Sequence, residues 1–244
     1  MERTKITFNR TLRASWLCEA LRLKADGLED AEATSRLKDW MAGEVSGEES
    51  LRKSLRYLRR IWMIPQEDLI SLKDEGIRLY LKDPSSATAT TLSFFMLIAT
   101  YPFVREVGEV CGRLHRLQGS VKSEQIKRKM AALHGEREPV FRSTRYAISL
   151  LADFGLLKPT SRRGIYHAGK TEIKNPEIAA FVLAAFIRSL SKGDAIRRPE
   201  LESHPGLFAF NPQNLIELAL LDPRFSVSRE SISTEIISFA QKDM

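Results

Sequence analysis

Residues 123–170, SEQIKRKMAALHGEREPVFRSTRYAISLLADFGLLKPTSRRGIYHAGK, decide how the chain is read. A short helix is predicted over 120–133, with Ser123 suited to cap its start. The polar loop 134–139 ends in a proline, and a longer helix follows from Val140 to about Phe154, stopped by Gly155. Leu156-Leu157-Lys158, a Pro-Thr-Ser-Arg-Arg-Gly turn and Ile165-Tyr166-His167 then read as a β-hairpin. A short apolar run, a glycine-containing turn and a β-branched and aromatic run come in that order. Helix, loop, helix and hairpin are the element order of a winged helix-turn-helix.

Upstream, nearly everything reads as helix. Over 11–24 the apolar positions Leu12, Trp16, Leu17, Ala20, Leu21 and Leu23 fall largely at spacings of three and four, and Gly27 lies where a stop is expected. Helices are also predicted over 29–41, 48–63, 65–81, 87–101 and 103–117, with turns at Gly43–Gly47 and Asp83-Pro84-Ser85-Ser86. Downstream come an apolar helix at 176–190, a loop rich in Arg, Pro and Gly, and two shorter helical stretches at 213–221 and 229–241. The expected class is mainly α. A helical N-terminal domain (1–118) precedes a winged helix-turn-helix with one small β-hairpin (119–174), and a C-terminal helical region (175–244) leaves a second winged-helix-like unit open.

Composition sets the outer limits. The 244 residues, 43% hydrophobic and 28% charged, exclude a mostly disordered chain and suffice for one large domain or two small ones. Two cysteines are too few for a disulfide framework, and MERTKITFNRTLRASW has no apolar signal core, so a cytoplasmic protein is expected. The most apolar stretch, 92–104 (LSFFMLIATYPFV), contains Pro102 and falls short of the ~20 residues a bilayer span needs. It reads as a buried core helix.

The formal charge of +7 favours polyanionic partners, and its location is more telling. Between Ser120 and Lys170 eleven basic residues face four acids, so this fifth of the chain carries the whole excess. Duplex DNA is the expected partner, because phosphate neutralisation with counterion release drives such binding. Phosphate contacts are assigned to Lys127, Lys129, Arg162 and Arg163, with Lys158 in the same basic set. Groove contacts are assigned to Arg142, Ser143, Thr144 and Arg145, read as the first turn of a recognition helix. The rival readings are a winged helix that binds protein, with Ser143 or Thr144 merely capping a helix, and a transcriptional regulator.

A second basic feature is LRKSLRYLRRIW at 51–62. Leu51, Leu55, Leu58 and Trp62 share one face, while Arg52, Lys53, Arg56, Arg59 and Arg60 take the remaining surface. It fits a second phosphate-contacting surface, used with DNA or RNA, a helix lying on lipid, or a core helix with a solvated basic side paired to Glu48 and Glu49.

Catalytic signatures are missing from the sequence. The histidines 115, 134, 167 and 204 are scattered, Cys18 and Cys111 sit in apolar helical contexts, and no phosphate loop, dinucleotide fingerprint or nucleophile elbow occurs. A binding protein is expected, with no enzymatic activity, metal or cofactor.

FNRTLRASWLCEALRL, the basic helix at 51–62, FFMLIATYPFVREV and above all SEQIKRKM through FRSTRYAISLLADFGLLKP resemble the BrxA family of BREX bacteriophage-exclusion systems, a family also described as inner-membrane proteins. The similarity covers most of the chain in element order and is strongest at 123–159. It implies a helical N-terminal part like the antitermination factor NusB, a winged-helix part, DNA binding, and phage defence beside a DNA methyltransferase and ATPases. The membrane description would then come from the apolar stretch at 92–104.

Overall fold

A computed structural model describes residues 8–190, 195–231 and 234–239. Its first helix, α1 (Ala14–Ala25), buries Trp16, Leu17, Ala20, Leu21 and Leu23, the stripe the spacing predicts, and Gly27 follows it in the left-handed region at φ 79°. α2 (Asp30–Met41) and α3 (Glu48–Trp62) each bury one face. A short 3-10 turn, Glu67–Leu69, leads into α4 (Ile70–Lys82). Ser85 caps α5 (Ser86–Thr100), its Oγ accepting the Thr88 amide at 3.2 Å.

The apolar stretch at 92–104 is split. Pro102 has no amide hydrogen to extend α5 but is well placed in a first helical turn, so α6 (Pro102–Gln118) starts there and leaves α5 at 108°. Leu92 to Ile98 are all buried. Among the described residues no single helix is long and apolar enough to cross a membrane, although this bent pair passes by length and composition.

After α6 the chain forms β1 (Val121–Lys122), α7 (Ser123–His134), α8 (Glu138–Asp153), β2 (Leu157–Pro159) and β3 (Ile165–Ala168). The expected hairpin is present, with Leu157 opposite Ala168 and Pro159 opposite Tyr166. It gains a partner in a stretch expected to be helical. Residues 121–122 pair with β3 (Val121 with Tyr166) and make a three-stranded antiparallel sheet of order β1-β3-β2. The expected Ser123 cap is therefore corrected: Ser123 is the first helical residue, and its amide donates to Gly164 O at 2.8 Å. The helix expected from Val140 begins two residues earlier, because Pro139 fits its first turn.

The C-terminal part comprises α9 (Pro176–Ser189), β4 (Ala195–Arg197), α10 (Arg198–Glu202), a 3-10 turn at Pro205–Leu207, α11 (Pro212–Ala219), β5 (Phe225–Ser231) and β6 (Thr234–Phe239). The helix expected at 229–241 is overturned, and residues 240–241 lie outside those described. Phe225 pairs with Phe239 and Val227 with Ile237, so apolar side chains recur every second residue and a period of two prevails. The single hairpin expected is thus joined by a second three-stranded sheet, of order β4-β6-β5.

One buried apolar cluster runs from Phe8 to Phe239. At its centre α9 is buried on all sides from Ala179 to Ile187, packed on α4, α5 and α11. α6 packs on α5 and also on α7 and α8. Neither 118 nor 174 marks a break in the core.

Candidate nucleic-acid interface

A helix turns 100° per residue, so four consecutive side chains cover its whole circumference and cannot all meet one ligand. α8 shows the consequence. Ser143 and Thr144 are 0% exposed, Thr144 Oγ1 donating to Val140 O at 2.8 Å and Ser143 Oγ having no partner among the described residues. Their assignment as groove contacts is corrected: both face the core. They also lie in the second turn, the first being Glu138 to Phe141.

The solvent stripe of α8 is Glu138, Arg142, Arg145, Ser149 and Asp153, at spacings of four, three, four and four. Its ends are occupied. Glu138 pairs with Arg142 at 3.4 Å, and Asp153 Oδ2 accepts the Ala14 amide at 2.5 Å. Arg145 is left outward, its guanidinium 5.5 Å from the Tyr146 ring. Ser149, an exposed hydroxyl one turn further on, is absent from the residues expected to meet DNA. Counting by helical period from Arg142 and Arg145 finds it.

On α7, Lys127 is committed to Glu124 at 2.7 Å, whereas Lys129 is exposed and has no ion pair among the described residues. The helix is tied to α6 by His134, whose Nε2 lies 2.7 Å from Glu106 Oε2. Arg162 and Arg163 are exposed in the β2–β3 turn. Thr160 Oγ1 shapes that turn by donating to Arg162 O at 3.1 Å and accepting the Arg162 amide at 3.2 Å. Gly164 completes it at φ 76°, where a Cβ would lie 2.8 Å from Ser123 Oγ, so the turn sits directly against the start of α7. Lys158 is opposite His167 across β2 and β3, both exposed. Three adjoining elements therefore carry Lys129, Arg145, Lys158, Arg162 and Arg163 outward without a carboxylate partner among the described residues.

The second basic feature divides. Arg52, Lys53, Arg56 and Arg59 line one cleft beside Thr34 of α2. Arg60 is turned away, against the Tyr101 hydroxyl. The lipid-bound helix is overturned, because Leu51, Leu55, Leu58 and Trp62 are all buried in the core and none is left to enter a bilayer. Burial pushes both thiols, Cys18 and Cys111, above the ordinary range and away from the nucleophilic thiolate. Among the described residues no three His, Cys, Asp or Glu side chains gather as a metal site.

No protein-family model, curated protein or solved structure matches the chain.

Proposed function

We propose that α6 to β3 form a winged helix that binds duplex DNA, with α8 as its recognition helix and the β2–β3 turn as its wing. The observation that carries this reading is the set of outward cations Lys129, Arg145, Lys158, Arg162 and Arg163 on α7, α8 and the hairpin, which have no carboxylate partner among the described residues. The element order and the sheet order β1-β3-β2 support it. Arg145, Arg142 once released from Glu138, and Ser149 face the groove, while Lys129, Lys158, Arg162 and Arg163 hold phosphates. The protein is then a non-enzymatic accessory factor docking a larger assembly on DNA. The likeness of residues 123–159 to the BrxA family favours phage defence as the setting, with a methyltransferase and ATPases as companions.

Fluorescence anisotropy with a labelled duplex tests the reading. Arg145→Glu/Arg162→Glu/Arg163→Glu should weaken binding at least tenfold, and the salt dependence should flatten by ~0.9 in slope for each phosphate no longer neutralised. Unchanged affinity and slope would remove the duplex assignment and leave a protein-binding adaptor.

A further inference from the structure

The α3 cleft is separate from the interface just described and is unused by it. It has a volume of about 300 Å³ and is lined by Thr34, Arg52, Lys53, Leu55, Arg56 and Arg59. Arg52, Arg56 and Arg59 follow spacings of four and three, so their guanidiniums share one stripe of α3 about 10 Å long at ~1.5 Å per residue. Lys53 is ion-paired with Glu49. The side chains of Arg52, Arg56 and Arg59 make no ion pair or hydrogen bond among the described residues, although this molecule pairs many of its other arginines, such as Arg22, Arg105, Arg198 and Arg224. Among the described residues, Arg59 Nε is buried without a hydrogen-bond partner. A buried guanidinium N–H left unmade is costly, and a ligand that supplies an anionic oxygen there removes the cost.

Three guanidiniums in a row, in a concave site and with no carboxylate bonded to them among the described residues, define a receptor for successive anionic groups. Guanidinium matches phosphate oxygens in planar, bidentate geometry. A lipid headgroup is disfavoured because every apolar residue of the helix is already committed to the core. A lone phosphate would engage only part of the stripe.

We propose that the α3 cleft binds the phosphodiester backbone of a nucleic acid at a second site, independent of the α8 and hairpin surface. The molecule then holds two stretches of polynucleotide at once.

The test crosses two variants with four probes. Arg52→Glu/Arg56→Glu alters two exposed side chains, and its melting temperature should match that of the unaltered protein. Arg52→Gln/Arg56→Gln serves if charge reversal impairs folding. The other variant is Arg145→Glu/Arg162→Glu/Arg163→Glu. The probes are a single-stranded DNA, a single-stranded RNA, a duplex DNA and inorganic tripolyphosphate. In the triple variant at least one polynucleotide should still bind, and adding the α3 changes should then weaken it at least tenfold. Which polynucleotide responds identifies the source of the phosphodiesters. Equal affinity for all three with and without the α3 changes would overturn the proposal, as would α3-dependent binding of tripolyphosphate alone. Failure of the duplex reading shows instead as a triple variant with undiminished duplex affinity.

Discussion

At the scale of single residues, Ser143 separates a charged run from a functional face. Arg142-Ser143-Thr144-Arg145 looks like one polar contact set, yet the helix turns its two hydroxyls into the core, where Ser143 Oγ has no partner among the described residues. A buried hydroxyl without a hydrogen bond costs ~1–3 kcal/mol, and alanine is the better helix former. Ser143→Ala should therefore leave duplex affinity unchanged and hold or raise the melting temperature. Thermal denaturation beside an anisotropy titration checks both, and a drop in affinity would return Ser143 to the interface. Arg145 and Ser149 emerge as neighbours only when the stripe is counted by helical period; the residue types alone point to the wrong half of the run.

At the scale of elements, close approach decides which glycines matter. On α6 a Cβ at Gly112 would lie 2.0 Å from Pro205 O and 2.9 Å from Phe208 Cβ, whereas one at Gly108, a turn earlier, would meet only the Phe208 ring at 3.8 Å. Both changes to alanine gain helix propensity, by ~1 kcal/mol. Gly108→Ala should raise the urea midpoint. Gly112→Ala should lower it, because backbone cannot yield as a flexible side chain can, and overpacking costs ~1–3 kcal/mol or more. The contact that makes Gly112 obligatory joins residues far apart in the chain and has no local signature. Helix positions were legible for the opposite reason. Ser85, Gly27, Pro102 and Gly155 act on their own neighbours, and the elements they bound follow the predicted ranges closely. The pairing of β1 with β3 and of β5 with β6 was not legible, because a strand of two residues has no period, and 229–239 carries isoleucines that suit a helix face as well as a strand.

At the scale of the whole molecule, Arg224 ties the C-terminal sheet to the N-terminal helices. It reaches Glu75 of α4 through two bonds of 2.6 Å and Asp222 at 2.7 Å, and stacks over Phe239. Its hydrogen bonds hold the Asp222 carboxyl below the ordinary carboxylate range. A depressed folded pKa gives stability that is complete above the unfolded value, ~4, and fades as pH falls through the folded one. Arg224→Gln should cost about 2 kcal/mol at pH 7, and its deficit against the unaltered protein should shrink below pH 4. Urea unfolding at pH 7 and pH 3 measures both; a deficit independent of pH would show that Arg224 acts by packing alone.

Two segments of the molecule share one element order. Helix, strand, two helices and two strands occur from α6 to β3 and again from α9 to β6, with equivalent sheet orders. Their charges differ. α11 (PQNLIELA) has no basic residue, and α9, in the position of α6, is the buried centre of the fold. The second segment carries the buried centre of the fold, and among the described residues of the two segments the first has more of the exposed cations.

What the sequence determined by itself is local: the helices, their caps and breaks, the hairpin, and the concentration of charge between residues 120 and 170. Each depends on residues a few positions apart, whose periods and backbone preferences act before any tertiary contact exists. Only the tertiary structure decided which polar groups are paired at long range, since Asp153 accepts the Ala14 amide and Arg224 reaches Glu75. It also decided that one core spans all three segments. Both outcomes depend on which side chains meet across the fold, and burial and pairing at that range leave no mark on neighbouring residues.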